Sequence, residues 1–409
     1  MTSSDTKPQP TLADPHASLA SLLNQVCPVE SEACSLAVAA GRVLAEPIFA
    51  DRPSPACDVS AMDGYAVRVA DICSGVLPID GEVAMGAAPP ALRPGCAMRI
   101  FTGGAVPDDA DAVIRREAVT EQDTSIGIEP GLDLPPGTNI RRAGENARQD
   151  ERVVSAGEVI TPPIAAALAN FGSVAPRVHR PVRLTLLTTG DEVLPPDHQP
   201  EPWQLRDSNT EALRHLFSPI PWLSVVAARH VSDKPGSLTR AIDAALESSD
   251  AVVLTGGVSQ GDHDYVPDAI RGAGGHIEFH KLAIRPGKPM LGAIGPEGQA
   301  IFGLPGNPVS VMTTARRFVI PALRRCNGQR SGADPETTIQ VDHPDQRTVN
   351  LWWYRPVRRL DPGHGELVPT KGSGDPVGAA RSDGFVEIPP NGSGPGPWPY
   401  YPWQAGATA

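Results

Sequence analysis

Residues 254–265, LTGGVSQGDHDY, combine glycines, a serine, two aspartates and a histidine in one short stretch. Glycines let a backbone approach a ligand closely, and Ser259 adds a hydroxyl. Asp262 and Asp264 would repel a phosphate unless a divalent cation lay between them, or they could simply cap a following helix. The spacing G-G-x-x-x-G, without a Gly-Lys-Ser/Thr ending, excludes the common nucleotide loops. The stretch is therefore a phosphate cradle, a metal site or a plain loop.

Two other glycine-bearing turns follow apolar runs in the same region, TTGDE after Leu187 and GLPGNPVS after Phe302. In the second, Asn307 stands at the N-cap and Pro308 in the first turn of a helix, so free backbone N–H groups there could bind an anion. A single turn of this kind is usually ordinary capping. Three such turns at one edge of a sheet favour a ligand site.

Basic residues follow closely in HKLAIRPGKP, which contains Lys281, Arg285 and Lys288. Such charges commonly form a solvated face, but the Pro-Gly turn could aim Lys288 at an anion. Acidic and basic groups at one edge suggest an anionic substrate handled with a metal. His276 and His280 could ligate a metal, although structural roles are the better interpretation, and His263 has no assigned role.

The elements predicted around these residues alternate between strand and helix over residues 181–326, which indicates a mostly parallel sheet with helices on both faces. Ligands bind outside the carboxyl ends of such strands. Residues 51–141 and the segment from 337 onward instead show short strands and Gly/Pro turns. Helices are predicted over residues 15–26, 31–43, 162–171, 209–217, 237–247, 266–271 and 308–325, and strands over 184–187, 223–228, 251–254, 276–284 and 301–302.

Composition narrows the class of protein. The 409 residues carry a net charge of -12, which argues against a nucleic-acid or membrane-surface binder. The six cysteines never occur at CxxC spacing, as expected for reduced thiols rather than a zinc site. No signal peptide or long apolar run is visible. We expect a soluble, cytoplasmic protein.

Eight motifs occur in order along the chain: SAMDGYAV, FTGGAVPDDADAVI, NIRRAGEN, TTGDE, DSN, TGGVSQGDHDY, KLAIRPGKP and GLPGNPVS. Together they closely resemble the molybdopterin molybdenumtransferase family, the MoeA proteins, to which the carboxy-terminal portion of gephyrin is related. The resemblance spans residues 15–390. Single pieces such as TGDE are unspecific, and in isolation the turns at Asp63 and Thr102 would be ordinary hairpins.

The resemblance implies a multidomain α/β plus β fold. Residues 15–48 and 144–179 would form a discontinuous helical linker domain, and 49–143 a β-rich insertion. Residues 180–330 would form an α/β molybdopterin-binding (MoaB/MogA-like) domain, and 331–409 a small C-terminal β-barrel domain. The family is homodimeric, with an active site between the α/β domain of one subunit and the β insertion of its partner.

The implied activity is a step of molybdenum cofactor biosynthesis. Molybdenum from molybdate enters the dithiolene of adenylylated molybdopterin in a Mg²⁺-dependent reaction that releases AMP. A molybdopterin adenylyltransferase and molybdoenzyme-maturation proteins are candidate partners, whereas nucleic acid and membrane are not expected.

Residue by residue, the resemblance assigns three groups of positions. Catalytic roles fall on Asp63, Thr102, Glu192, Asp264 and Lys281. Metal binding falls on Glu192, Asp262 and Asp264. Binding of the pterin, phosphate or adenylyl groups falls on Arg141, Asn146, Asp207, Asn209, Asp233, Gly256, Gly257, Ser259, Gly261, Arg285, Lys288, Gly306, Asn307, Pro308, Ser310 and Ser373.

Some positions depart from the family pattern. Asn146 stands where an acid is usual, Arg116 replaces a common glutamine, and Trp352-Trp353 make the C-terminal strand unusual. Asn146 keeps a hydrogen-bond acceptor but loses a charge, which leaves open a weakened molybdopterin-binding or scaffold paralogue. A molybdopterin adenylyltransferase is a third hypothesis, opposed by the β insertion and the C-terminal domain.

Overall fold

The computed structural model describes residues 12–258, 265–330 and 337–404. The chain forms two compact units, one built from residues 1–46, 157–161 and 175–409 and the other from residues 47–156 and 162–174. The division into four domains remains a prediction. No helix in the described segments is long and apolar enough to cross a membrane.

A six-stranded sheet forms the centre of the larger unit. Four parallel strands occupy one side in the order Leu223–Val231, Val182–Thr189, Ala251–Thr255 and Ala300–Leu304. Leu291–Ile294 and His276–His280 continue the sheet antiparallel. The central strands are buried along their whole length, as expected for strands covered on both faces. The predicted, mostly parallel sheet is confirmed.

Helices cover this sheet and position its loops. The helix Pro15–Gln25 begins where Asp14 accepts a hydrogen bond from the Ala17 amide at 2.8 Å, a standard N-cap. The other helices of this unit are Ser208–Phe217, Pro235–Ser248, Val266–Gly272, Pro308–Thr314, Ile320–Cys326 and Pro376–Ala379. All of these helices except Pro376–Ala379 bury apolar side chains against the sheet or the barrel described below.

The single helix predicted over residues 308–325 is interrupted. Residues Ala315–Val319 form a π-helical turn between two α-helical pieces. Pro321 has no N–H to donate to the carbonyl of Arg317, and its ring crowds that carbonyl, so the regular bonding pattern cannot pass this point.

The helix predicted over residues 31–43 is wrong. The segment contains the short strand Ser31–Ala33 and a 3-10 turn at Leu36–Val38. Ser31–Ala33 pairs with Arg177–His179, and Val43 and Leu44 form further bridges. Pairing with distant chain segments satisfies these backbone groups and overrides the local apolar spacing.

The C-terminal part of the larger unit is a closed five-stranded barrel. Its strands pair around the circle in the order Trp352–Asp361, His364–Leu367, Thr337–Asp342, Trp398–Pro402 and Gly384–Ile388, and the last pairs with the first. The strand Ile284–Arg285, which lies in the chain between two strands of the six-stranded sheet, adds to the barrel beside Trp352 and Trp353. The predicted α/β plus β fold class with a C-terminal barrel is confirmed.

The smaller unit contains a second six-stranded sheet, with strands in the order Ala112–Arg115, Gly64–Val67, Ala97–Ile100, Val76–Glu82, Ser125–Ile128 and Val119–Glu121. Two short ladders join Val59–Ser60 to Ile140–Arg141 and Ile48–Phe49 to Arg152–Val154. The helix Pro162–Asn170 and the 3-10 turns Val69–Ser74 and Arg116–Ala118 complete it. The short strands predicted over residues 51–141 are therefore present, paired in this sheet and in the first of the two ladders.

Candidate functional site

A cavity of about 680 Å³ opens at the carboxyl ends of three parallel strands of the larger unit. Thr188 and Thr189 end the first strand, Gly256 and Gly257 follow the second, and Gly306 follows the third. The three glycine-bearing turns singled out in the sequence thus meet around one space. This is the location at which α/β sheets hold ligands.

The glycines bring the turns close together. Gly256 has a φ of +93°, and a Cβ there would lie 2.8 Å from the Thr189 hydroxyl oxygen. Its amide donates to the Leu304 carbonyl at 3.1 Å. A side chain at Gly256 would strain the backbone and collide with its neighbour, so the cavity wall here must be bare backbone.

Asn209 presents an unused acceptor at this cavity. Its side-chain nitrogen donates to the Gly306 carbonyl at 2.7 Å, which fixes the amide orientation. The other amide atom, Oδ1, is buried and has no hydrogen-bond partner among the described residues. Because a buried acceptor without a partner is costly, this geometry suits a ligand that donates a hydrogen bond.

Three of the predicted acids line the same cavity: Glu192, Asp207 and Asp233. Asp207 is also the N-cap of the helix Ser208–Phe217, and its two oxygens accept from the Thr210 amide and hydroxyl at 2.9 and 2.6 Å. The described part of the chain contains no group of three His, Cys, Asp or Glu side chains close enough to hold a metal. The cavity is acidic but does not by itself form a complete metal centre from these residues.

A second cavity, of about 660 Å³, lies between the α/β sheet region and the C-terminal barrel. Its basic lining comprises Arg285, Lys288, Arg347 and Arg355. Pro289, Pro305 and Asn307 line both cavities. An acidic and a basic cavity therefore share one wall.

The shared wall connects the predicted helix start to the barrel. The Asn307 side chain does not cap its own helix but donates to the Ser373 hydroxyl at 2.9 Å, and the Val309 amide donates to the Ser373 carbonyl at 3.0 Å. Ser310 and Ser373 both line the basic cavity, and Pro308 the acidic one. Residues that are far apart in sequence thus meet at this wall.

Lys281 occupies a different position. It lines neither cavity as the described residues define them, and its φ of 71° is unusual for a residue other than glycine. Its neighbour His280 contacts the Val258 carbonyl through Nε2 at 2.9 Å, which places this segment beside the first half of the second turn.

In the smaller unit, Asp63 and Thr102 contact each other directly. One Asp63 oxygen accepts from both the amide and the hydroxyl of Thr102, each at 2.8 Å. The hydrogen bond from the Thr102 amide is the larger cause that holds the pKa of Asp63 below its usual range, and the bond from the Thr102 hydroxyl is the second. Asp63 is therefore a fixed, ionised carboxylate on the surface of this unit.

Arg141 and Asn146 also meet in this unit. Arg141 donates to Glu145 at 2.5 Å and to the side-chain oxygen of Asn146 at 2.8 Å. The hydrogen bond from Arg141 is the main cause that lowers the pKa of Glu145. Asn146 thus keeps the acceptor position of an acid without its charge.

Four predicted site residues, Ser259, Gly261, Asp262 and Asp264, lie outside the described residues, as does His263. Conversely, sequence reasoning missed Arg347, Arg355 and the Trp353 ring beside them. The sequence marks the Trp352-Trp353 pair only as unusual. The signal for this cavity is the alternation of Trp353 and Arg355 on one strand, since residues two apart share a face.

Comparisons with known proteins define first the class and then the family. A profile described as "Probable molybdopterin binding domain" matches residues 185–325, which include most of the acidic cavity. A second, "MoeA N-terminal region (domain I and II)", matches residues 14–172. The α/β part of the chain is thus a molybdopterin-binding type of domain.

Proteins that match most of the length of this chain belong to the same family. The chain is 32% identical to the molybdopterin molybdenumtransferase of Nostoc sp., over 79% of this chain and 77% of that protein. It is 34% identical to the enzyme of that name from Haemophilus influenzae, over 82% and 80% respectively. A crystal structure of a molybdopterin biosynthesis MoeA protein from Pyrococcus horikoshii matches 97% of this chain and 100% of that one, with a TM-score of 0.78 at 27% identity. The chain belongs to the molybdopterin molybdenumtransferase family, and the predicted transferase of molybdenum cofactor biosynthesis is confirmed at that level.

Proposed function

We propose that this protein inserts molybdenum from molybdate into the dithiolene of adenylylated molybdopterin, with Mg²⁺ and with release of AMP. The observation that carries the proposal is the shared wall between an acidic cavity and a basic one. This reaction needs a pterin phosphate, a cation and a second oxyanion close together. Two adjoining cavities of opposite charge supply such an arrangement.

The acidic cavity is proposed to bind the pterin and its phosphate. The free Oδ1 of Asn209 can accept from a pterin N–H, and the bare backbone at Gly256, Gly257 and Gly306 allows a phosphate to approach. Asp207 is a weaker candidate for pterin binding because its carboxylate already caps a helix.

The basic cavity is proposed to bind molybdate. Arg285 and Lys288 contribute positive charge and form no ion pair with a carboxylate of the described residues, and Ser310 and Ser373 add hydroxyl donors. A tetrahedral dianion gains charge-assisted hydrogen bonds from such groups. Asn307, in the common wall, lies between the proposed pterin and molybdate positions.

Glu192 is the described residue proposed to hold Mg²⁺, together with Asp262 and Asp264. A carboxylate at a phosphate-binding cavity fits a divalent cation, since Glu192 would repel the phosphate without one. When bound, the cation would neutralise phosphate charge as AMP leaves. Glu192 would also orient the water that attacks the phosphoanhydride. Lys281, which follows His280 in the segment beside Val258, would neutralise negative charge of the phosphate.

Further parts of the proposal concern the assembly and its surroundings. We propose that the protein is a cytoplasmic homodimer, in which Asp63, Thr102 and Arg141 complete the site of the partner subunit. A molybdopterin adenylyltransferase would supply the substrate, and a molybdoenzyme-maturation protein would accept the product.

The test is a turnover assay with adenylylated molybdopterin, molybdate and Mg²⁺ that follows AMP release and active cofactor. We expect the wild type to be active and Glu192→Gln to be at least about a hundredfold slower, a loss typical of removing one catalytic electrostatic group. Glu247→Gln, an exposed acid on the helix Pro235–Ser248, is the matched control and should be fully active. Binding of substrate by the wild type without turnover would contradict the enzyme and support the scaffold alternative.

A further inference from the structure

Trp353 lies among three arginines at the basic cavity. The guanidinium carbons of Arg355, Arg285 and Arg347 lie 4.3, 5.4 and 5.8 Å from the centroid of its ring. These distances fall within the range of cation–π attraction. Because guanidinium groups repel one another, a ring that attracts all of them can hold them in one place.

The backbone explains why these groups converge. Arg285 and Trp353 are register partners in a parallel pairing, so they are neighbours on the sheet. Arg355 is two residues beyond Trp353 on the same strand and therefore shares its face. Arg347 arrives from the preceding loop and is fixed by Asp345, which it contacts at 2.7 Å.

The arginines differ in what else holds them. Asp345 also binds Arg355 at 2.8 Å. Burial acts to raise the pKa of Asp345, but hydrogen bonds from Arg355 and Arg347 outweigh it and bring the pKa to about 2. The Arg285 guanidinium makes no ion pair or hydrogen bond within residues 12–258, 265–330 and 337–404, and it lies over the Trp353 ring.

We propose that Trp353 is a positioning residue for oxyanion binding, which orders Arg285 and Arg355 so that their free N–H groups face a bound molybdate. This inference rests on the proposed function in taking molybdate as the anion. The ring does not react, so its removal should weaken molybdate binding and raise the KM for molybdate without a matching fall in kcat.

The test uses Trp353→Leu, Trp353→Phe and a matched control, Trp352→Phe. Trp352 is adjacent on the strand, and its ring contacts His16 with centroids 4.3 Å apart. We expect Trp353→Leu to bind molybdate about tenfold more weakly by calorimetry, a loss consistent with removing more than one cation–π contact. Trp353→Phe should recover part of this loss, since it retains an aromatic face, and Trp352→Phe should bind like the wild type.

The same proteins are assayed for turnover. Equal losses in Trp353→Phe and Trp353→Leu, or a fall in kcat at unchanged molybdate affinity, would overturn the positioning role, as would a wild type that does not bind molybdate. Wild-type binding that depends on Trp353 but is accompanied by no turnover would refute the proposed enzyme function and leave the positioning role intact.

Discussion

In the sequence alone, Asp63 and Thr102 are ordinary turn residues. Only the family resemblance predicts a catalytic role for them. In the structure a single carboxylate oxygen accepts two hydrogen bonds from Thr102. An acceptor bonded in this way has a lowered pKa and a fixed direction. The pair therefore acts as one unit, in which Thr102 orients Asp63.

This pairing predicts unequal effects of two substitutions at Thr102. Thr102→Ser retains the hydroxyl and should keep most of the molybdenum-insertion activity, whereas Thr102→Val should reduce it about tenfold or more because it loses the side-chain hydrogen bond. Asp63→Asn should be nearly inactive with an unchanged melting temperature, since Asp63 is exposed. Equal activity of Thr102→Val and Thr102→Ser would contradict the orienting role.

The pKa of Asp63 adds a pH dependence. Since the pKa lies below the usual aspartate range, Asp63 stays ionised as the pH falls through about 4. Thr102→Val removes one of the two stabilising hydrogen bonds. We expect any acidic limb in its rate profile to move to higher pH than in the wild type, and an acidic limb at the same pH would count against this assignment.

At the scale of elements, the two ends of one strand have separate roles. The strand Ala251–Thr255 leads to Gly256 at the acidic cavity, while Asp250 precedes its other end. Asp250 accepts from both Arg180 and Arg183, with contacts of 2.6 to 3.0 Å. Five residues at about 3.3 Å each separate the two ends by roughly 17 Å, so Asp250 is expected to serve stability alone.

Asp250→Asn is predicted to destabilise the protein by about 2 kcal/mol at neutral pH. Burial acts to raise the pKa of Asp250, but the two arginines lower it to about 2 in the folded state. The stabilisation is therefore complete above about pH 4, where the unfolded aspartate is ionised, and disappears as the pH falls toward 2. Urea unfolding of both proteins at pH 7 and near pH 3 measures the difference.

Asp243→Asn, on the exposed side of the helix Pro235–Ser248, is the control and should unfold like the wild type at both pH values. Turnover per folded molecule should stay normal in both variants. A gap between Asp250→Asn and the wild type that widened with acid would show that the pKa of Asp250 is not lowered by folding.

The elements that the sequence predicted well are those with local causes. Runs of Val and Leu bounded by glycine turns predicted the parallel strands, and the turns predicted where a ligand cavity would open. The strand Leu291–Ile294 and the ladder of Ser31–Ala33 with Arg177–His179 were missed, because both depend on partners distant in sequence. The basic cavity was only half predicted for the same reason. Lys288 and Arg285 belong to one motif, whereas Arg355 and Trp353 reach them through the register of the barrel.

On the scale of the whole molecule, a buried ionic network connects the N-terminal helix, the interrupted helix and the barrel of the larger unit. Arg317, in the π-helical turn, is 4% exposed and pairs with Glu387 of the barrel, which is 2% exposed. Glu387 also accepts from the Tyr401 hydroxyl at 2.8 Å and lies 3.4 Å from His16 of the first helix. Burial alone would raise the pKa of Glu387, but these neighbours lower it.

Glu387→Gln is predicted to destabilise the larger unit by about 3–5 kcal/mol, because it leaves the buried Arg317 charge uncompensated. The double variant Arg317→Met with Glu387→Leu should recover most of this loss, since both charges of the pair are removed together. Denaturant unfolding of the three proteins provides the measurement. A double variant less stable than Glu387→Gln would show that the pair contributes through its own attraction rather than by mutual compensation.

The closed barrel has a consequence for how the chain is made. Its last strand, Trp398–Pro402, fills the gap between Thr337–Asp342 and Gly384–Ile388. Until the ribosome releases that strand, both neighbours expose unpaired edges that can recruit strands from other chains. A nascent or truncated chain that stops short of residue 398 is thus prone to aggregate. The barrel is protected from this pairing with other chains only after Trp398–Pro402 has closed it.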